Sequence, residues 1–200
     1  MQRKEYSAGA TKFLFWFAEF RKIVSLLRSG KTMIEIKELA ITDNIFSAAT
    51  PTRSGQIFNT VSARVSSLPD EFYILFEKSS LETQKLIALV AVMETDSLFF
   101  EFMNDVYREK LITGDTALID ADVRIFFADK QRESEKVAGW TDRTIVNLRK
   151  CYKSYIAEAG LSEHGTGDRK IIKPLIDGEL KRLLSDTGRR QTLDILSGTR

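Results

Sequence analysis

Helical periodicity along nearly the whole chain is the feature that most constrains its fold. Apolar residues recur three and four positions apart in at least six segments, which also carry helix start or stop signals. The three prolines fall near the expected element boundaries. One stretch, "LSEHGTGDRKIIKP" at 161–174, places two short runs around a glycine turn, which indicates a hairpin. The sequence therefore predicts an all-α fold, a compact multi-helix domain with one short β-hairpin.

The helix boundaries follow from capping residues, prolines and glycines. Helices are expected from about Thr11 to Leu27, Thr32 to Ala40, Thr50 to Leu68, Ser79 to Met93, Leu98 to Leu111, from near Asp120, from Thr141 to Ala159, and from Pro174 to Leu184. The aromatic residues of the first helix keep helical spacing, which indicates a core-facing stripe. We expect a single domain over 1–200, in which a helical part at 1–136 precedes a winged-helix-like part at 137–200 with its helix, hairpin and final helix.

The composition of the chain is that of a globular protein, with 43% hydrophobic and 29% charged residues. The single cysteine, Cys151, excludes an internal disulfide and fits a reducing compartment. The uncharged apolar run Leu86–Met93 is far shorter than the roughly 20 residues that a membrane span needs. Because the first six residues are polar and charged, they do not form a secretory signal. We therefore expect a cytoplasmic protein that has no membrane partner.

The sequence patterns of catalytic and metal sites are incomplete in this chain. "SGKT" at 29–32 resembles the end of a phosphate-binding loop, but Ser25 stands where the first glycine is required and a helix precedes the motif. The only histidine, His164, has no second histidine with which to form a zinc pair. Cys151 has no histidine within its helix to activate its thiol. The expectation is a non-enzymatic protein without cofactor or metal.

Charge is distributed unevenly along the chain although the formal net charge is only +2. The segment 70–109 contains nine acidic and three basic residues, whereas 1–31 contains seven basic and two acidic residues. The segment 143–200 is also basic, with twelve basic and seven acidic residues. An acidic middle between basic ends suggests that one face meets a polyanion while another is turned away from it.

The helix that begins at Thr141 has a polar face suited to nucleic acid. Arg143, Asn147 and Lys150 share that face because residues three and four apart are neighbours on a helix, and Lys153 flanks the apolar stripe. Arginine and asparagine can pair with guanine and adenine edges, and lysine neutralises phosphate. A basic hairpin follows this helix and carries two further candidate residues, Arg169 and Lys170. A helix, a tight turn and a basic hairpin follow one another in this order in winged-helix DNA-binding domains.

The helix that begins at Thr50 repeats this pattern. Arg53, Gln56 and Arg64 align on one face, and no acidic residue occurs between Asn44 and Pro69. Every amphipathic helix has a polar back, so a helical adaptor whose charged faces meet proteins remains an alternative, and RNA binding is another. Two acid-poor faces on one chain favour nucleic acid.

Four segments follow one another over nearly the whole chain: "YSAGA" near the start, "EIKELAITDNIFSAATPTRSGQIFNTVSARVSSL", "WTDRTIVNLRKCYKSYIAEAGL" and "KIIKPLID". In this order they resemble the BrxA family of bacterial BREX bacteriophage-exclusion systems. The resemblance implies a compact, mainly helical protein without enzymatic activity that binds double-stranded DNA. It also implies partners within the same system, namely a methyltransferase, an ATPase and a phosphatase-like protein. The family offers no short motif from which contact residues could be transferred.

Overall fold

Helices make up most of residues 5–199, the part of the chain that the computed structural model describes. The helices are α1 (Phe17–Arg28), α2 (Met33–Thr42), α3 (Pro51–Val65), α4 (Asp70–Lys78), α5 (Leu81–Thr95), α6 (Ser97–Phe102), α7 (Glu109–Thr113), α8 (Asp120–Glu133), α9 (Glu135–Ala138), α10 (Asp142–Glu158), α11 (Gly178–Asp186) and α12 (Arg190–Ser197). A 3₁₀ turn, Gly9–Lys12, precedes α1, and a π-helical segment, Met103–Arg108, joins α6 to α7. The predicted all-α class is confirmed.

Side-chain caps explain where the two helices of interest begin. The Thr50 hydroxyl accepts a hydrogen bond from the Arg53 amide at 3.1 Å, and Pro51 occupies the first helical position, where a missing N–H costs nothing. The Thr141 hydroxyl accepts from the Thr144 amide at 3.2 Å. Both predicted helix starts are therefore confirmed, because these caps are local and depend on few residues.

The hydrophobic core surrounds α5, whose segment Leu86–Met93 is buried on every side. Helices α3, α4, α6 and α10 all pack against it. Next to α5, the Phe99 ring meets the Tyr152 ring edge-on with centroids 5.0 Å apart, a favourable arrangement for aromatic quadrupoles. Because the apolar stripe of α10 is buried in this core, the opposite, polar face of the helix is directed away from it. No helix within residues 5–199 is both long and apolar enough to cross a membrane.

The sheet differs in part from the predicted hairpin. The two arms around the glycine turn do meet, since Ser162 bridges Ile171 in antiparallel fashion. The second arm forms β2 (Arg169–Lys170), which also pairs with an unpredicted strand, β1 (Ala117–Leu118). That pairing joins the hairpin to the chain just before α8, a long-range contact that local sequence patterns do not encode.

The first predicted helix is wrong at its start. Residues 9–12 form a 3₁₀ turn, and the backbone at Trp16 is left-handed, with φ 55° and ψ 48°, before α1 begins at Phe17. A left-handed backbone is costly for a bulky side chain and persists only where the surroundings enforce it. The helical spacing of the aromatic residues correctly indicated that this segment packs on the core, but it did not indicate that the helix is interrupted before Phe17.

Other boundaries also differ from the sequence prediction. Pro69 precedes α4, a helix that was not predicted, and Ser80 rather than Ser79 caps α5. Pro174 lies in an extended connection, and the Asp177 carboxylate caps α11 three residues later. The final helix, α12, was also missed. These helices are short, and tertiary packing rather than length or propensity stabilises such elements.

Candidate nucleic-acid interface

The outer face of α10 carries three polar side chains that the helix directs away from the core. Arg143 and Lys150 are exposed and Asn147 is half-buried, whereas Leu148 on the opposite face is fully buried. Among the described residues, none of the three polar side chains has a hydrogen-bond or ion-pair partner. Two turns separate Arg143 from Lys150, a span of about 10 Å along the axis. This row offers two cations and one amide to a ligand.

Lys153 does not belong to that row, and its burial contradicts the prediction that it contacts DNA. The side chain is only 7% exposed, and its ammonium forms an ion pair with Asp120. The same ammonium donates to the Gly167 carbonyl oxygen at 2.7 Å. The hydrogen bond from Lys153 is also the main cause that lowers the pKa of the Asp120 carboxyl. Lys153 therefore stabilises the fold around the glycine-rich turn.

Arg169 has a similar structural role, which corrects its prediction as a DNA-contacting residue. One guanidinium nitrogen donates to the Lys153 carbonyl oxygen at 2.6 Å and another to the Gly165 carbonyl oxygen at 2.5 Å. Burial lowers the pKa of this guanidinium, as expected for a cation withdrawn from water. Lys170, its neighbour in β2, is exposed and remains available to a ligand.

Arg53 and Gln56 lie at the outer edge of α3. The Arg53 guanidinium stacks over the Trp16 ring, 5.2 Å from its centroid, and donates to Gln56 Oε1 at 3.3 Å. Gln56 is exposed and Arg53 is half-buried. Stacking on an aromatic ring restrains the guanidinium, so less conformational entropy is lost when it binds a ligand.

Arg64 is buried, and its prediction as a DNA contact is wrong. Its guanidinium donates to the carbonyl oxygens of Leu14 at 3.0 Å and Phe15 at 2.8 Å, and to the Tyr155 hydroxyl at 3.4 Å. Arg64 follows Ile57 by seven residues, so two helical turns bring it above that buried side chain. At Arg64, the face of α3 that was predicted to be exposed therefore lies at the edge of the core-facing stripe.

Six of the nine predicted residues remain accessible to a ligand. They are Arg53, Gln56, Arg143, Asn147, Lys150 and Lys170. The sequence prediction missed two residues that orient this region, Trp16 beneath Arg53 and Asp120 beside Lys153. No local signal could have identified them, because each acts on a residue more than 30 positions away. Within residues 5–199, no group of three or more histidine, cysteine or carboxylate side chains is arranged for a metal ion.

An acidic groove of about 350 Å³ lies between the π-helical segment with α7 and helix α8. Its lining includes Asp105, Glu109, Asp115, Asp122, Asp129, Glu133, Lys110 and Lys130. The Lys130 ammonium already pairs with Glu133 and Glu101, both at 2.9 Å. Ile125 on the groove wall is 59% exposed. The acidic middle predicted from the sequence thus extends to a surface that repels polyanions.

Comparisons with known proteins agree with the geometry of a helical domain. The BrxA family model matches residues 4–188. A protein of Bacillus cereus (strain H3081.97), "BREX protein BrxA", is 40% identical over 182 residues, which is 91% of each chain. The crystal structure of an uncharacterized protein from Magnetospirillum magneticum superposes with a TM-score of 0.79 at 16% identity, covering 98% of this chain and 100% of that one. This last similarity concerns the fold alone.

Proposed function

The chain belongs to the BrxA family, and from this premise we propose that it is a non-enzymatic double-stranded-DNA-binding protein of a BREX bacteriophage-defence system. It acts in the cytoplasm, and its protein partners are other components of that system, such as the methyltransferase, the ATPase and the phosphatase-like protein. The BREX assignment is supported by the name of the Bacillus cereus relative.

The observation that carries the DNA-binding proposal is the unpaired row on α10. Arg143 and Lys150 are exposed and have no ion-pair partner among the described residues, so both cations can reach a phosphate without breaking an existing pair. Each cation that reaches a phosphate releases a condensed counterion, which is a favourable entropic contribution in dilute salt. Asn147 between them can donate to and accept from an adenine edge in the major groove.

Arg53 and Gln56 add a second patch of donors on α3, and Lys170 adds a cation next to the glycine-rich turn. A surface of this kind binds mainly through phosphate contacts, which give affinity and register without strong sequence preference. The four accessible cations, Arg53, Arg143, Lys150 and Lys170, allow up to about four phosphate contacts, with a slope of log K against log salt of about −0.9 per contact.

Electrophoretic mobility shifts with duplex DNA, single-stranded DNA and RNA of equal length, each at two salt concentrations, test this proposal. DNA binding predicts that the duplex is retained at low salt and released steeply as salt rises. Tighter retention of RNA than of duplex DNA would replace the proposal with RNA binding. Failure to retain any nucleic acid at low salt would leave a DNA-independent adaptor.

The adaptor alternative is favoured by one specific observation, the acidic groove with exposed Ile125 on its wall. An apolar side chain within an acidic rim suits a protein segment that has lysine or arginine around an apolar anchor. Ile125→Asp, tested by co-purification with co-expressed BREX components, distinguishes the two functions. Loss of the complex with unchanged duplex binding would assign partner binding to the groove and show that DNA binding does not depend on it.

A further inference from the structure

A partly buried polar network connects α8, α10 and the glycine-rich loop at residues 163–168. The Lys153 ammonium, on α10, contacts both Asp120 at the start of α8 and the Gly167 carbonyl oxygen of the loop. The Asp120 amide donates to Asp168 Oδ1 at 2.9 Å, which links α8 directly to the loop. Arg169 completes the network by bonding the loop carbonyl of Gly165 and the α10 backbone. The start of α8 thus shares one set of hydrogen bonds with α10 and the loop, both of which come later in the sequence.

The loop itself has few other restraints. His164, Gly165 and Thr166 are exposed, and Gly165 and Gly167 have positive φ values of 150° and 75°. A glycine-rich segment has many accessible conformations when unrestrained, so the network selects one of them. The selected conformation holds the Gly167 carbonyl oxygen against Lys153 of α10, and the Glu163 amide donates to the carbonyl oxygen of the exposed Lys170 at 3.0 Å.

We propose that Asp120 is a positioning residue for the DNA interface: it holds Lys153 so that the loop 163–168 keeps its arrangement and presents the exposed Lys170 that follows it as a second DNA-contacting element. This inference rests on the proposed DNA binding. Lys153 and Arg169, which the sequence suggested as direct contacts, then act through the loop rather than on phosphate. Asp120 is itself an acid next to a polyanion site, and its presence there is explained by this role.

The proposal and simple electrostatics make opposite predictions for the loss of Asp120. Removing a carboxylate makes the protein more positive, and field effects alone would tighten DNA binding. Under the proposal, Lys153 loses its ion pair with Asp120 instead, and the loop is no longer held in one conformation. If only about one tenth of molecules keep the competent arrangement, the apparent Kd rises about tenfold. The sign of the change therefore decides between the two.

The test compares Asp120→Asn with Asp142→Asn, a matched control. Asp142 is also an acid in the first turn of a helix, but it is exposed and has no ion pair among the described residues. We expect Asp120→Asn to weaken binding of a random duplex about tenfold. Asp142→Asn is expected to bind equally well or up to about threefold more tightly, because it removes a charge beside Arg143. Asp120→Glu, which retains a carboxylate, should recover much of the lost affinity.

Hydrogen exchange of the free protein provides a readout that does not depend on DNA. The Glu163 amide donates to the Lys170 carbonyl oxygen at 3.0 Å, and the Ile171 amide donates to the Thr116 carbonyl oxygen at 2.8 Å. In Asp120→Asn, the peptide covering 163–171 should exchange faster, whereas peptides of α5 should not change. Asp168→Ala, which cuts the second link between α8 and the loop, should reproduce both the faster exchange and the weaker binding while also removing a negative charge.

The outcomes separate the positioning role from DNA binding itself. If the parent binds duplex DNA and Asp120→Asn binds it as tightly or more tightly, the positioning role is overturned while the proposed function stands. Unchanged exchange at 163–171 in Asp120→Asn would overturn it as well. If the parent binds no duplex at low salt, the proposed function fails, and the positioning role for DNA fails with it.

Discussion

The Arg64 guanidinium donates to the Phe15 carbonyl oxygen at 2.8 Å, across 49 residues of sequence. The same group reaches the carbonyl of Leu14, while the Tyr155 hydroxyl donates to the carbonyl of Phe13 at 2.7 Å. Three consecutive carbonyls before the left-handed Trp16 are thus satisfied by side chains of α3 and α10. These bonds replace the intrahelical ones that a continuous helix would have formed, and they explain why α1 begins only at Phe17.

Arg64→Met should destabilise the fold by about 2–4 kcal/mol, since a buried acceptor left without a donor costs about 1–3 kcal/mol. Methionine retains much of the apolar stem, so the change isolates the guanidinium. Arg53→Met is the control: this side chain stacks on Trp16 at the edge of the core, and its loss should cost about 0.5–1 kcal/mol. Urea denaturation measures both. Equal losses in the two variants would contradict the capping role of Arg64.

Arg143→Ala combined with Lys150→Ala should weaken duplex binding and reduce the salt slope by roughly two, about one for each lost phosphate contact. The free energy of unfolding should change by no more than about 0.5 kcal/mol per site because both side chains are exposed. Binding titrations at several salt concentrations measure the slope. A double variant that binds like the parent would show that this face of α10 is only solvated.

Leu148→Ala on the opposite face of α10 should have the reverse effect. The leucine is fully buried, and its truncation should destabilise by about 2–5 kcal/mol through cavity formation. The polar row stays in place, so duplex affinity and salt slope measured below the unfolding transition should match those of the parent. A normal unfolding free energy for this variant would contradict the placement of α10 in the core.

Asp96→Asn should change how stability depends on pH. Burial raises the pKa of the Asp96 carboxyl, against the opposing effects of hydrogen bonds from the Phe99 amide and the Tyr152 hydroxyl and of the Arg64 charge. The folded state therefore binds this proton more readily than the unfolded state, so the parent gains stability relative to Asp96→Asn as pH falls. The gain should level off near pH 4, about the pKa of an unfolded aspartate.

Urea denaturation of the parent and of Asp96→Asn at several pH values between 7 and 4 measures this difference. Asparagine also caps helices well and can accept from both donors, so the variant should fold and the comparison isolates the charge. A stability difference that stays constant over this range, or that favours the variant at low pH, would contradict the raised pKa.

Gly198→Ala should destabilise the packing of the chain end. Gly198 has φ 65°, and a Cβ atom there would lie 2.5 Å from Leu111 Cβ. Gly188→Ala is a matched control because φ is 74° and a Cβ atom would meet nothing within 4 Å. Both variants should lose about 1–2 kcal/mol to the left-handed backbone, and Gly198→Ala should lose about 1–3 kcal/mol more from the clash. Chemical denaturation that shows equal losses would contradict this contact.

The accuracy of the sequence prediction differed between local and long-range features. The starts of α3 and α10 were predicted because a threonine cap and a proline act within one turn. The polar back of α10 followed from helical spacing. The pairing of Ala117 with Lys170 could not be predicted, because a two-residue strand has no periodicity of its own.

The sequence by itself determined the helical class, the capped starts of α3 and α10 and the row Arg143, Asn147 and Lys150, because these depend on neighbours within four residues. Only the tertiary structure decided which cations are free. Arg64 and Lys153 have the same local setting as exposed basic residues, but one meets backbone carbonyls 49 and 50 positions away and the other meets Asp120. A charge is withdrawn from water only where the fold supplies partners for it, and those partners come from distant segments.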